Sequence, residues 1–382
     1  MPRSRFLPGI FLCCTLALPA SQATETAPLM QQVFDAIAYL LPLSLREDDG
    51  SAAWDRTLVD EKLATLEQAA TAYAAHAKAD DAVTRDLAQS FADRTQDIAG
   101  AFREAWPGYA WFSLMELTQH CVACHSRLPA QDADGFAQRL LARLDLDRLD
   151  ASELAQLLVA TRQFDAALAA LERKLANATV PAVDLDNLGV LVDYLDIALV
   201  VRHDPARVDE TLARFLQRDD VPYYLHERIT RWRRWLAEFG PLLAGPASLV
   251  EARRLFLAAD PLTRTPRGRE RAIHDLVAAS LLERYLHERP GAQGEDVGEA
   301  WYMLGVIALR TTEPRYSVPG LELNLAAAIR AAPHGTHARE AYALLEEFGF
   351  WRDQPLVKAA PGAFPVSLPA LRKLLEIPGA PR

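Results

Sequence analysis

Cysteine and histidine lie close together at one point of the 382-residue chain, in the run Cys121-Val122-Ala123-Cys124-His125. The C-x-x-C-H arrangement is the one by which haem is attached covalently to a polypeptide. Residues i, i+3 and i+4 share one face of a helix, so two thiols can add to the two vinyl groups of a porphyrin while the imidazole reaches the iron. We therefore predict that Cys121 and Cys124 hold one haem c and that His125 is the proximal iron ligand.

The same two cysteines have two further interpretations, an ordinary disulfide and a thioredoxin-like redox pair. A thioredoxin-like site needs a strand before it and a parallel sheet around it. The residues ahead of the motif instead have the three- and four-residue spacing of amphipathic helices. The three stripes are Leu29, Met30, Val33, Phe34, Ile37 and Leu41; Val59, Leu63, Leu66, Ala70, Tyr73 and Ala77; and Val83, Leu87, Phe91, Ile98 and Phe102. This pattern favours haem attachment.

The stripes predict three helices, followed by a fourth that begins near Tyr109 and carries Cys121 and His125 towards its end. We expect Thr26 to cap the first helix and Pro28 to lie in its first turn. Short connections favour an up-down-up-down bundle of the four helices. In that topology the end of the fourth helix lies beside the start of the first and beside the turn between the second and the third.

The first 23 residues have the features of a bacterial secretory signal peptide. A basic start is followed by an apolar run over residues 6–19, and Ser21 and Ala23 supply small residues at the cleavage positions. The mature chain is then expected to begin at Thr24 and to be periplasmic. No other stretch approaches the roughly 18 uninterrupted apolar residues of a spanning helix, so stable membrane insertion is not expected.

Lipid anchoring is not expected either, because Leu12 precedes Cys13 and Cys14 where a lipoprotein signal has a small residue. Removal of Arg3 and Arg5 with the signal lowers the basic count from 41 to 39 against 51 acidic side chains, so the formal net charge falls from −10 to −12. Nucleic acid is a poor partner for that charge.

Beyond Pro129 the chain has a long series of helical patterns and no further haem motif. Residues 300–333 resemble a tetratricopeptide repeat, with Trp301, Leu304, Gly305 and Ala308 at first-helix spacing and Leu321, Leu325, Ala328 and Pro333 at second-helix spacing. Residues 151–176 resemble the repeat more weakly. We therefore predict an all-α chain divided into a signal peptide (1–23), a haem-binding four-helix bundle (24–130) and a degenerate tetratricopeptide-like helical solenoid (131–382).

Two motifs in the second half have ambiguous roles. Arginines surround two tryptophans in the run Arg228, Arg231, Trp232, Arg233, Arg234 and Trp235. Such a run is either a docking patch for an acidic partner or a helix with buried tryptophans and solvated arginines, and we favour the second. His334 and His337 have no third ligand near them in sequence, which makes them weak evidence for a metal site.

Residues 24–130 resemble the cytochrome c prime family, the class II c-type cytochromes, on the strength of the C-x-x-C-H motif near the end of a fourth helix. The resemblance implies one haem inside a four-helix bundle, held by Cys121, Cys124 and His125. Family members often have a basic residue four places after the histidine, whereas this chain has Pro129 there and Arg127 two places after. The resemblance also implies a sixth iron position that is either empty, as in gas-binding members, or filled by a methionine of the first helix.

Met30 is the candidate for that sixth position, and its alternative role is core packing. His76 is the next candidate, with Lys78 in the following turn as a partner for a haem propionate; the alternative is a polar helix end in solvent. His120 points about 140° away from His125 around the helix, so we expect it to be exposed. Met115 is on the proximal side and is expected in the core.

The sequence thus favours a periplasmic mono-haem c-type cytochrome that transfers electrons with a redox protein recruited by the helical repeats. The alternative is a sensor or scaffold that binds nitric oxide or carbon monoxide at an open sixth position. No Ser/His/Asp set, paired carboxylates or phosphate-cradling glycine loop stands out. We therefore do not expect an enzyme, although a peroxidase-like activity stays open.

Overall fold

The computed structural model describes residues 21–44, 55–77, 82–104, 107–125, 142, 149, 151–258, 269–289, 291–311, 319–352 and 368–376. Every regular element in these ranges is helical, and none of them is a strand. The predicted all-α class is confirmed over this part of the chain. The expected signal sequence up to residue 20, together with Lys78, Arg127 and Pro129, lies outside it.

The N-terminal helices are α1 (Ser21–Ser44), α2 (Arg56–His76), α3 (Ala82–Arg103) and α4 (Pro107–His125). Each packs on the next, and α1 also packs on α4. Their apolar stripes meet in one cluster that buries Leu40, Leu63, Leu66, Ile98, Leu114 and Leu117, among others. Burial of each such leucine or isoleucine stabilises the fold by about 1.5–3 kcal/mol relative to an exposed side chain.

Local signals place the ends of these helices. The carboxylate of Asp55 caps α2 by accepting hydrogen bonds from the backbone N–H groups of Thr57 and Leu58, at 2.9 and 3.2 Å. The expected start of α1 is wrong, because the helix begins at Ser21 and therefore includes Thr26 and Pro28 in its interior. No glycine or proline separates Ser21 from Pro28, so the backbone has nothing to stop the helix from beginning earlier.

A second series of helices follows α4. Its members are α5 (Ala151–Ala160), α6 (Phe164–Ala176), α7 (Ala182–Asn187), α8 (Val190–Asp196, continued by a π-helical turn Ile197–Val201), α9 (Pro205–Phe215), α10 (Tyr223–Phe239), α11 (Leu249–Leu257), α12 (Ala272–His287), α13 (Glu295–Thr311), α14 (Pro319–Ala331), α15 (Ala338–Arg352) and α16 (Leu368–Leu374). Helices α5 to α13 share one hydrophobic core. Consecutive helices pack as pairs, most extensively α5 with α6, α11 with α12, and α13 with α14.

Glycine allows the closest of these pairings. A Cβ atom on Gly305 of α13 would lie 2.5 Å from Cδ2 of Leu325 on α14, and one on Gly298 would lie 2.7 Å from Cβ of Ala332. Any larger residue would push the two helices apart. The helix pair expected over residues 300–333 is therefore present, with the glycine of its sequence pattern at the contact.

The last helices return to the N-terminal ones. Helix α14 packs on α3 and α4. Leu87 of α3 shares a buried cluster with Leu321, Leu325, Leu371 and other residues of α14, α15 and α16. This packing brings the end of the chain against the helix that carries the cysteine motif. Across the described ranges, no helix is both long and apolar enough to cross a bilayer.

Candidate haem-attachment site

The last turn of α4 carries all three predicted attachment residues. Cys121 and Cys124 are in the reduced thiol form and, like His125, keep part of their surface accessible. The Cys121 thiol donates a weak hydrogen bond to the carbonyl of Leu117, at 3.8 Å. Cys124 packs against the cluster formed by α14, α15 and α16. Cys124 therefore lies where helix α4 meets the cluster of α14, α15 and α16.

The surroundings of Cys121 are those of a neutral thiol. Desolvation raises the pKa of the Cys121 thiol to about 11, so it stays protonated at neutral pH. The site is also at the C-terminal end of α4, where the helix dipole disfavours a thiolate. A thioredoxin-like cysteine has the opposite environment, with a pKa lowered at a helix N-terminus. The geometry therefore disfavours the redox-pair interpretation of the motif.

A backbone group from another helix fixes the orientation of His125. Its ring nitrogen Nδ1 lies 2.5 Å from the carbonyl oxygen of Ala160, the last residue of α5. A carbonyl only accepts hydrogen bonds, so Nδ1 is the nitrogen that carries the proton. In the neutral ring Nε2 then has the free lone pair, which is the arrangement of a metal-ligating histidine oriented by an outer hydrogen bond.

The protonation of His125 agrees with that role. Desolvation lowers the pKa of His125; the Ala160 hydrogen bond acts in the opposite direction, and the positive charge of Arg162 adds a smaller lowering effect. The ring is therefore neutral at pH 7, as a metal ligand must be. Sequence reasoning missed Ala160, because a contact across 35 residues leaves no trace in local spacing.

His120 does not lie where it was expected. Only 9% of the residue is exposed. Its Nε2 lies 3.0 Å from Oγ of Ser90 and its ring 6.3 Å from that of Phe91, both on α3. Desolvation lowers the pKa of His120 to about 4, so the ring is neutral. The expected exposure is wrong because α4 is covered on two flanks, with α3 against one and α5 against the other.

The candidates for the sixth iron position fall on two helices. Met30 is partly buried and packs against the core cluster of the N-terminal helices. It lies near the start of α1, which packs on α4. His76 is the last residue of α2 and is partly exposed. The side chain of Met115 lies outside the described part of the structure.

The basic and aromatic run of α10 is used internally. Trp232 is fully buried, and its indole N–H donates to the carbonyl of Glu270, at 3.1 Å. Arg228 forms ion pairs with Asp186 at 2.9 Å and with Glu270 at 3.1 Å. Arg233 pairs with Asp209, at 2.7 Å. The buried tryptophan agrees with the favoured interpretation, but these arginines bind neighbouring helices and are not simply solvated.

The two histidines that were considered as a weak metal motif lie in the connection between α14 and α15. The ring of His337 stacks on that of Tyr302, with 4.5 Å between centroids, and its Nδ1 lies 3.4 Å from a carboxylate oxygen of Glu340. His334 is exposed. No group of three metal-ligating side chains occurs here or elsewhere in the described ranges.

The residues present fit a covalently attached haem. Two accessible thiols sit three residues apart on a helix, and the following histidine has one ring nitrogen occupied and the other left for a metal. Comparisons with models of protein families, with curated proteins and with solved structures found no match for this chain.

Proposed function

We propose that this protein is an exported mono-haem c-type cytochrome that exchanges electrons with a protein partner. The observation that carries the proposal is the hydrogen bond from His125 Nδ1 to Ala160, because it leaves Nε2 available for a metal on the histidine that directly follows Cys124 in the motif. The packing of α1 to α4, each on the next and the first on the last, supports a four-helix bundle as the carrier of the group.

Each residue of the motif has a defined part. Cys121 and Cys124 would hold the haem covalently as thioethers, and His125 would bind its metal through Nε2. Haem supplies an iron that takes up and releases one electron. The apolar side chains of α14 to α16 pack against Cys124 and keep water from that side of the site.

The helices after α4 are proposed to recruit the partner, as a tetratricopeptide-like solenoid. Tethering a binding surface to a redox centre raises the effective concentration of the partner at that centre. The surface of this region offers large side chains for contact, since Tyr223 is 80% exposed and Leu188 is 67% exposed. Aromatic side chains are enriched at protein interfaces.

Covalent attachment is the test. The full chain should be expressed in cells with and without the periplasmic maturation machinery for c-type cytochromes. We expect one haem per chain, retained after denaturation and acid-acetone extraction, only when that machinery is present.

Cys124→Ser should leave haem on one thioether, and the double variant Cys121→Ser, Cys124→Ser should lose it. His120→Gln is the matched control and should keep covalent haem. A disulfide between Cys121 and Cys124 found by mass spectrometry in the mature protein would refute the proposal.

Binding of nitric oxide or carbon monoxide is the second candidate function. One observation favours it, namely that Met30 packs against the core of α1 to α4, which supports a packing role for this side chain instead of ligation. A haem whose iron had no protein ligand besides His125 would have a coordination position open to such gases. A ferric spectrum of the high-spin type and uptake of carbon monoxide by the reduced protein would support this function, whereas a low-spin protein that takes up no gas would exclude it.

A further inference from the structure

Helix α4 has neighbours from both ends of the second series of helices. It packs on α5, which follows it in the chain, and on α14, which lies much later. Between these two contacts the helices form an unbroken series of packed pairs, namely α5 on α6, α6 on α8, α8 on α12, α12 on α13 and α13 on α14. The described helices therefore form a closed circuit that leaves the N-terminal helices at α4 and returns to α3 and α4 through α14.

The returning contact has little hydrophobic core of its own. Helices α1 to α4 share one buried cluster and α5 to α13 share another. The buried residues of α14, α15 and α16 form a third cluster, and among the described residues of α1 to α4 only Leu87 is a buried member of it. Next to Leu87, the carboxylate of Asp86 pairs with Arg330 of α14. Leu87 and this ion pair therefore join α3 to α14 across a contact with little shared core.

The same contact joins segments that are far apart in the chain. The two residues of the ion pair are 244 positions apart, and closing a long loop costs more entropy than closing a short one. Helix α14 is held more closely by α13, since a Cβ atom on Gly305 would lie 2.5 Å from Leu325. Regions with few buried apolar contacts open locally at a lower free energy than a core does. The contact of α14 with α3 and α4 is therefore the place where the circuit opens most easily.

Cys124 lies at this contact. Its side chain is partly exposed and packs against the cluster of α14, α15 and α16. The thiol of Cys121, one turn earlier, instead donates to the carbonyl of Leu117 within α4. A loosening of the contact therefore acts first on Cys124.

We infer that the contact of α14 with α3 and α4 is a seam that opens and closes, and that its opening controls access to the thiol of Cys124. Leu87 and the Asp86–Arg330 ion pair hold the seam closed. The inference rests on the proposed function for what this access serves, because a haem vinyl group must reach Cys124 before a thioether forms. Closure afterwards covers that side of the site.

Thiol labelling of the full-length protein, made without the maturation machinery, measures this access. N-ethylmaleimide is added at constant pH, and the labelled cysteines are followed over time by peptide mass spectrometry. Arg330→Gln should label at Cys124 about two- to fivefold faster than wild type, because it loses a partly exposed ion pair. Leu87→Ala should label more than about tenfold faster, because a buried leucine is lost from the same contact. Arg330→Lys keeps the charge and should label like wild type.

Two control variants distinguish the seam from general loosening of the fold. Leu212→Ala removes a fully buried leucine of α9 from the separate core of α5 to α13. Arg339→Gln removes an exposed charge of α15. Both should label at Cys124 at nearly the wild-type rate. Unchanged labelling in Arg330→Gln and Leu87→Ala, or equal acceleration in Leu212→Ala and Leu87→Ala, would overturn the inference.

Salt tests the ion pair without a substitution. A higher salt concentration should speed the labelling of Cys124 in wild type, because it screens a partly exposed pair, and should have little effect in Arg330→Gln. An equal salt effect in both proteins would overturn the role of the ion pair. A wild type that never acquires covalent haem would instead defeat the proposed function, and the labelling rates would still decide whether the seam opens.

Discussion

Asp86 of α3 and Arg330 of α14 form an ion pair although 244 residues separate them in the chain. Both side chains are only partly exposed, and the pair lies where α14 packs on α3. Beside it, Leu87 is buried in the cluster of α14, α15 and α16. Helices α14, α15 and α16 are therefore packed against α3, so a substitution in this contact should change the stability of both groups of helices.

Truncation of Leu87 tests that fastening. The residue is 1% exposed, and Leu87→Ala removes buried methyl groups from a cluster that joins α3 to α14 and α15. We expect the free energy of unfolding to fall by about 2–5 kcal/mol, because apolar burial is lost and surrounding side chains relax only partly into the cavity. Urea unfolding followed by circular dichroism measures the loss.

Val250→Ala is the control for Leu87→Ala. Val250 is 68% exposed, and its truncation should change stability by no more than about 0.5 kcal/mol. If Leu87→Ala were as mild as this control, the packing between α3 and the last helices would contribute little to the stability of the chain.

In an isolated fragment of residues 131–382, we expect only some of the helices to be as stable as they are in the whole chain. Helices α5 to α13 have their own core, so the fragment should be helical by circular dichroism. The apolar face of α14 loses its contact with Leu87 in the fragment. We expect faster amide hydrogen exchange in α14 and α15 than in α12 when the fragment is compared with the full chain. Equal protection in both proteins would mean that the last helices do not need the first four.

The stability of helices α5 to α13 should depend on the protonation of His274. Its ring lies edge-on to Trp235 and Phe239, at 4.5 and 4.9 Å between centroids. Desolvation lowers the pKa of His274 below its usual value of 6.5, with a further contribution from the charge of Arg271. The unfolded state therefore binds the proton more readily, and stability is lost as the pH falls below 6.5.

The variant His274→Gln lacks the ring that takes up the proton, so it also lacks the contribution of His274 to the pH dependence of stability. Between pH 7 and pH 5 the wild type should lose more unfolding free energy than the variant, by up to about 1.4 kcal/mol per pH unit. Chemical denaturation at the two pH values gives the difference. Equal losses of unfolding free energy in wild type and variant would show that His274 does not titrate between pH 7 and pH 5. The other histidines with a lowered pKa would then account for the loss.

The sequence predicted those features that depend on local spacing. The stripes through Leu63 and Ile98 lie in the shared core of α1 to α4, and the pattern around Gly305 corresponds to a real helix pair. Periodicity identifies the apolar face of a helix but not the neighbour that covers the other faces. This is why His120 was expected in solvent.

The features that the sequence did not predict depend on contacts between distant segments. The acceptor for His125 is a backbone carbonyl, which any residue type supplies, so no side-chain pattern could have identified Ala160. The partners of Arg228 are Asp186, 42 residues earlier, and Glu270, 42 residues later. Their pairing depends on how α10 packs, and this is a tertiary property.

The state of the sixth iron position decides between the two proposed functions, and Met30 is the residue to change. Its side chain packs against the core of the N-terminal helices, so we expect the ferric wild type to be high-spin and Met30→Ala to leave that spectrum unchanged. The variant should only lose stability, as expected for a partly buried side chain. Optical and electron paramagnetic resonance spectra of both proteins are the measurement.

Ligation by Met30 gives a different set of results. The wild type would be low-spin with the weak charge-transfer band of a thioether ligand, and Met30→Ala would lose that band, bind carbon monoxide when reduced and have a lower potential. A low-spin spectrum that survives Met30→Ala would point to His76, which His76→Ala would then test. An open iron position still permits electron transfer, since an electron needs no vacant coordination site. Gas binding would prevail over electron transfer only if the reduced protein binds the gas tightly and no redox partner oxidises it.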